Sequence, residues 1–166
     1  MEYIWAPWRM EFIQSADKKT ETCFLCQKPQ EHDDKLNYIL YRGTHNYVLL
    51  NAYPYNPGHL LVAPYRHEGK IENLTDDEAA EHFNLTRKSV VLLTYIVKCT
   101  GFNVGMNLGK IAGAGIDDHI HTHIVPRWQG DTNFMPAVGN TKVLPEALSA
   151  TYDKLMEGVA RAFLNR

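Results

Sequence analysis

The hydrophobic pattern changes period three times along the chain. Between residues 37 and 64 come three short runs, "NYILYRG", "HNYVLLNAY" and "GHLLVAP". The first ends at a Gly, the second is rich in β-formers and the third is bracketed by Asn56-Pro57-Gly58 and Pro64, which predicts three strands. The first two are close enough for a hairpin through Gly43-Thr44. The stretch "LTDDEAAEHFNLTRKSVVLLTYIVKCTG" then opens with Thr75-x-x-Glu78, a capping box. Ala79, Phe83, Leu85, Val90, Leu93 and Val97 recur near helical spacing, and the last two turns are apolar nearly all round. A helix from Thr75 to about Cys99 is expected, stopped by Gly101 and buried at its C-terminal end. "FNVGMNLG" and "HIHTHIVPRW" read as two more strands, joined by "KIAGAGIDD". After the irregular "QGDTNFMPAVGNTKVL", the run "PEALSATYDKLMEGVARAFL" forms a last helix, with Pro145 acceptable at its start. The expected architecture is α+β, an antiparallel sheet of about five strands with one long central helix and a C-terminal helix.

Length and composition narrow the class. A chain of 166 residues is most simply one domain, here an arm over residues 1–36, a core over 37–128 and a C-terminal loop and helix over 129–166. The arm is aromatic and irregular, with Tyr3, Trp5, Trp8 and Phe12, and Pro7 opposes a long helix there. A formal charge of −2 gives no electrostatic case for nucleic acid or an anionic membrane. No apolar run approaches the ~18–20 residues that span a bilayer. The start, "MEYIWAPWRMEFI", carries Glu2, Arg9 and Glu11 and lacks a small-residue cleavage site, so it does not read as a signal peptide. Three cysteines, two of them as Cys23-x-x-Cys26, fit a reducing interior. A cytoplasmic location is the expectation.

Chemistry concentrates in "DHIHTHIVPRW". On a strand, His119, His121 and His123 share one face, while Ile120, Thr122 and Ile124 turn to the core. Same-face Cα atoms lie ~6.6–6.8 Å apart, so the outer imidazoles are ~13 Å apart and cannot all bind one metal. An adjacent pair could share an ion. The other reading divides the labour: one imidazole as nucleophile, its neighbours as orienting, acid or structural groups. Neutral imidazole attacks phosphorus well near pH 7.

The preceding loop favours phosphorus. "GMNLGKIAGAG" places Gly105, Gly109, Gly113 and Gly115 around Asn107 and Lys110, closely preceded by Gly101. Small residues let backbone N–H groups approach an anion. The Cys23/Cys26 pair is ambiguous by itself: half a zinc site, a redox pair or two small turn residues. A redox pair would prefer a helix N-terminus in a βαβ setting, which this segment does not show.

These residues resemble a known family. His119-Ile-His121-Thr-His123-Ile-Val125 is similar to the motif His-φ-His-φ-His-φ-φ of the histidine-triad (HIT) nucleotide hydrolases and transferases, with Thr122 the one departure at a φ position. "VLLNAYPYNPGHLLVAPYRH" resembles the family's strand–turn–strand, and "GFNVGMNLG" its phosphate-side strand. "WAPWRM" and "GDTNFMPAVGNTKVLPE" resemble the diadenosine tetraphosphate phosphorylase or hydrolase branch.

The resemblance implies an enzyme that cleaves dinucleoside polyphosphates through a nucleotidyl-histidine intermediate, with adenine nucleotides favoured. Alternatives are a nucleoside phosphoramidate or adenylate hydrolase, and a nucleotide-binding scaffold with little turnover. His121 is the implied nucleophile, His123 the phosphate contact and His119 the third catalytic-motif member. Asn107, Gly113, Ala114 and Gly115 would hold non-bridging oxygens, Asn51 the ribose, and Ile39 and Leu50 the base. Many relatives carry Ser or Thr three residues before the first triad histidine; here Ile116 stands there, followed by Asp117 and Asp118, which orient an imidazole, act in proton transfer or lie in a solvated turn. For the Cys pair, zinc-containing relatives imply a structural Zn2+ on Cys23, Cys26, His67 and His119, with His45 as fallback. His32, His59 and His82 read as surface, turn and helix residues. The resemblance and the long apolar helix together favour a homodimer.

Overall fold

A computed structural model describes residues 23–113, 115–131 and 146–164. The aromatic arm, Ala114, most of the loop after the histidines and Pro145 lie outside the described residues. A four-residue helix α1 (Phe24–Gln27) precedes the hairpin β1 (Ile39–Arg42) and β2 (Asn46–Leu50), then β3 (Leu60–Pro64). The long helix α2 (Asp76–Ile96) leads to β4 (Gly101–Met106) and β5 (Thr122–Arg127). The helix α3 (Leu148–Val159) ends in a π turn, Ala160–Leu164. The five strands form one antiparallel sheet in the order β1-β2-β3-β5-β4, so the expected α+β architecture is borne out.

Strand alternation divides the sheet's side chains between two clusters. Leu40, Val48, Leu50, Leu60, Val62 and Ile124 face Leu85, Leu92 and Leu93 of α2 and Tyr152, Leu155 and Val159 of α3. Ile39, Tyr47, Leu49, Leu61 and Ala63 point the other way, under Leu25 of α1. The second cluster is sealed by the Tyr47 hydroxyl, which donates to the Leu25 carbonyl at 2.7 Å. The face that carries the histidines is therefore covered at one end and open at the other. Among the described residues no helix is long and apolar enough to cross a membrane.

Two expectations change. The capping box forms, with Thr75 accepting from the Glu78 N–H and Glu78 from the Thr75 N–H. But α2 ends at Ile96, because Lys98 takes a left-handed φ of 51°, and Gly101 begins β4 instead of ending the helix. The buried stripe is Glu78, His82, Leu85, Ser89 and Leu92, while Phe83 is 73% exposed and Tyr95, in the last turn, 55%. The apolar C-terminal turns are thus not fully buried. Leu92 and Leu93 keep the inner positions there, while in the earlier turns Glu78, His82, Thr86 and Ser89 take inner positions, since each finds a hydrogen-bond partner.

Candidate active site

The histidine segment is only partly strand. β5 starts at Thr122, paired with Val62, so residue 120 falls opposite Pro64. Proline has no N–H for the ladder. The chain turns to other partners: the Ile120 N–H donates to the Glu68 carbonyl at 2.7 Å and His119 Nε2 to the Pro64 carbonyl at 2.9 Å. His119 and His121 therefore sit on a lead-in segment and only His123 on the strand itself. All three are drawn in from solvent, His119 being 1% and His121 8% exposed.

Hydrogen bonds fix the proton on each ring. His121 Nδ1 lies 2.9 Å from the His119 carbonyl, which only accepts, so Nδ1 carries the hydrogen and Nε2 the lone pair. Burial lowers the pKa of His121, keeping it neutral near pH 7. His123 is set by a neighbour that the sequence reading placed in a turn. His59 is fully buried, and its Nδ1 accepts from the Tyr55 N–H at 3.1 Å. Its Nε2–H therefore donates to His123 Nδ1 at 3.0 Å, which leaves the His123 hydrogen on Nε2. Tyr55 stacks on His59 with centroids 4.8 Å apart, and the His121 and His123 rings are 4.9 Å apart. Two adjacent rings thus present unlike atoms, a lone pair and an N–H.

Asn51, just after β2, is tied into the same group, its Nδ2 lying 3.2 Å from His59 Nδ1 and its Oδ1 accepting from the Tyr53 N–H at 2.9 Å. A cavity of about 590 Å3 opens beside His123, lined also by Asn107, Gly113, Gly105, Asn103 and Arg127. Gly113 holds a left-handed φ of 83°, and Asn107 Nδ2 points to its carbonyl at 3.5 Å. Gly115 is exposed and Ala114 lies outside the described residues. Leu50 cannot face a base: it is 1% exposed and packed against α2, on the far side of the sheet from His123. Ile39 has the other parity but is equally buried, inside the second cluster. Ile116 also packs on that cluster.

His119 points away from this cavity, into a second constellation. Ligand atoms of Cys23, Cys26, His67 and His119 all lie within 4.8 Å of one another; His45 is not among them. His119 Nδ1 is 3.3 Å from Cys23 Sγ and 3.4 Å from Cys26 Sγ, and His67 Nδ1 is 3.3 Å from Cys26 Sγ. Tetrahedral zinc with bonds of ~2.0–2.3 Å separates its ligands by roughly 3.3–3.8 Å, which these three sulfur–nitrogen distances match, and the two-sulfur, two-nitrogen donor set suits that ion. The outer nitrogens support the assignment. His119 Nε2 is committed to Pro64, and His67 Nε2 faces Asp118 Oδ2 at 3.5 Å, so both Nδ1 atoms carry lone pairs toward the sulfurs. Burial holds His119 down at about 4, neutral as a ligand must be. Burial and then Cys23 push the Cys26 thiol up to about 11; a dication at this point would hold both sulfurs as thiolates.

His82, read as an ordinary helix residue, is 3% exposed behind Thr122. Asn46 Nδ2 donates to the Glu78 carbonyl at 3.0 Å and to Glu81 Oε2 at 3.2 Å, so its Oδ1 accepts from His82 Nδ1 at 2.9 Å. His82 Nε2 then accepts the Thr122 hydroxyl at 2.7 Å. The departure from the apolar motif at Thr122 thus has a partner.

Comparison with known proteins agrees with this geometry. Residues 33–130 match the HIT domain, and the chain belongs to that family. It is 39% identical over 157 residues to the AP-4-A phosphorylase of Mycobacterium tuberculosis, covering 91% of this chain and 80% of that protein. Its fold is shared with a zinc-bound histidine triad family protein from Mycobacterium smegmatis, at a TM-score of 0.68 and 20% identity over 85% of this chain and 95% of that one. The NitFhit protein of Caenorhabditis elegans gives a TM-score of 0.58 at 28% identity over 72% of this chain, which spans only 27% of NitFhit.

Proposed function

We propose that the protein is a HIT-family nucleotidyl hydrolase or phosphorylase that cleaves dinucleoside polyphosphates of the diadenosine tetraphosphate kind. The observation that carries this reading is the His121 ring, held with Nδ1–H on a backbone carbonyl and Nε2 bearing the lone pair. Nε2 attacks the α-phosphorus, forming an N–P bond. The P–O bond to the rest of the chain breaks, and the leaving oxygen departs with the electron pair. In the second step water or inorganic phosphate attacks the same phosphorus, the N–P bond breaks, and its electrons return to Nε2. Splitting the displacement in this way replaces one difficult step by two easier ones. His123 Nε2–H donates to a non-bridging oxygen and offsets the charge that develops on it. Asn107 and the backbone around Gly113 and Gly115 hold the remaining oxygens, and Asn51 meets the ribose.

Cys23, Cys26, His67 and His119 would hold Zn2+, whose part is a structural cross-link between α1 and the lead-in to β5. Likeness to the phosphorylase of M. tuberculosis supports the substrate class. A homodimer is supported by the exposed Phe83, Val91, Tyr95 and Val104, apolar side chains on α2 and the edge strand β4.

The test is rapid quenching of the protein with diadenosine tetraphosphate labelled in the α-phosphate. Label bound to His121, stable in base and released in acid, is expected, and its absence under conditions of turnover rejects the covalent route. Product analysis then separates the acceptors. ADP formed only when phosphate is added means phosphorolysis, whereas AMP with ATP means hydrolysis.

A further inference from the structure

Gly105 lies inside β4, directly opposite His123. A glycine inside a strand weakens it, so it calls for a reason: an unusual conformation, a close approach by other protein atoms, or a close approach by a ligand. The first does not apply, because Gly105 is not among the glycines with positive φ. Nor does the second among the described residues, since a Cβ added at 105 would meet none of their atoms within 4 Å. Gly158 shows the contrast: a Cβ there would sit 2.6 Å from Ile96 Cγ1, so packing alone demands that glycine.

What Gly105 does border is the cavity beside His123. On that face β5 continues from His123 through Val125 to Arg127, and β4 sets Gly105 opposite His123 and Asn103 opposite Val125. From His123 to Arg127 this strip runs ~13 Å. Its far end is rich in donors. Asn103 Oδ1 accepts from Arg127 Nη1 at 2.8 Å, which turns the Asn103 amide hydrogens away from Arg127. Arg127 is gripped by Asp131 through Nε at 2.6 Å and Nη2 at 2.8 Å, and so is held in one orientation with two N–H groups remaining. The acceptor capacity of Asp131 is taken up by Arg127, Asn56 and the Trp128 N–H. Fixed donors along an open floor suit a chain of linked oxyanions.

We propose that this strip is the leaving-group subsite. The phosphate chain beyond the phosphorus attacked by His121 lies over Gly105, and Asn103 and Arg127 donate to its non-bridging oxygens. The subsite rests on the reading of His121 as nucleophile, and it makes Gly105 a determinant of selectivity for long phosphate leaving groups over short ones.

The experiment compares diadenosine tetraphosphate with the p-nitrophenyl ester of AMP, whose leaving group has no phosphate. Gly105→Ala and Asn103→Ala are each measured for kcat/KM on both substrates, for Tm and for mass in solution. The expected result is a ratio of kcat/KM, tetraphosphate over ester, about tenfold below wild type in both variants. Gly105→Ala should keep or raise the Tm, because a strand prefers alanine. A ratio that stays within about twofold of wild type overturns the subsite. So does a Gly105→Ala protein of lower Tm or altered mass, since the glycine would then serve packing or a second copy of the chain. Wild-type protein that cleaves the ester but not the tetraphosphate sinks the subsite alone. Wild-type protein that cleaves neither removes the nucleophile reading, and the subsite with it.

Discussion

Two imidazoles stand on opposite sides of the Thr122 backbone, and they are alike in nearly every respect. His82 and His121 are both buried, burial lowers both pKa values, and both carry the ring hydrogen on Nδ1, donated to a protein oxygen. They differ at Nε2. That of His82 accepts the Thr122 hydroxyl at 2.7 Å. That of His121 has no hydrogen-bond partner among the described residues and sits beside the His123 ring. Burial and neutrality therefore do not by themselves separate a structural histidine from the proposed nucleophile. The same group is a structural joint where its lone pair is filled, and the proposed mechanism needs it where the lone pair is left open.

The contrast breaks first at His121. His121→Asn should lower kcat by at least ~10^3-fold while nucleotide affinity, measured by calorimetry, stays of the wild-type order. Turnover near wild type would show that the open Nε2 is not the reacting atom. His119 supplies a third imidazole, closed at both ends if Zn2+ is bound. Chelation should then cost on the order of 4 kcal/mol of stability at zinc 1,000-fold above its dissociation constant, read as a fall in Tm that added Zn2+ reverses. In Cys23→Ser the zinc-dependent part of that Tm should be lost.

His82→Leu should show the opposite profile to His121→Asn. It leaves Asn46 Oδ1 and the Thr122 hydroxyl without their partner, costing about 2–3 kcal/mol, or roughly 5–10 °C in Tm. Activity per folded molecule should fall by less than about tenfold. A smaller effect is expected at His59→Phe, which keeps a ring against Tyr55 but removes the donor to His123. There kcat should drop ~10–100-fold with KM little changed.

The last effect is one of pH, spread over more than two pH units and so shallow at any one of them. His82 is held at about 4 by burial, against ~6.5 for an ordinary histidine. The unfolded chain thus binds a proton that the folded chain refuses, and stability should be fully present above pH ~6.5 and decline as pH falls toward 4. His119 acts in the same sense. Urea midpoints measured across that window should show a shallower slope in His82→Leu than in wild type. Equal slopes would mean that His82 is protonated in the folded protein.

The sequence made the strands, the hairpin, the capping box and the same-face parity of the histidines legible, because these are local or periodic signals. The Cys23/Cys26 pair with His67 and His119 was reachable only through family resemblance. His59 and His82 were missed for one reason: their partners are remote in the chain. His59 meets His123, 64 residues away, and His82 meets Asn46 and Thr122, 36 and 40 residues away. The buried stripe of α2 was hidden likewise, since Glu78, His82 and Ser89 look solvated until their acceptors and donors are in place. Leu50 is a different case. Parity along β2 puts it on the same face as Val48, but which face of β2 lies under α2 emerges only from the packing.

The acceptor that orients the His121 ring is the main-chain oxygen of His119. A library that replaces every side chain at position 119 will score the residue for its imidazole alone, and it will never sample loss of the carbonyl. The control on His121 is thus invisible to substitution scanning. Exposing it would take backbone chemistry, such as an ester or thioamide placed at that one linkage.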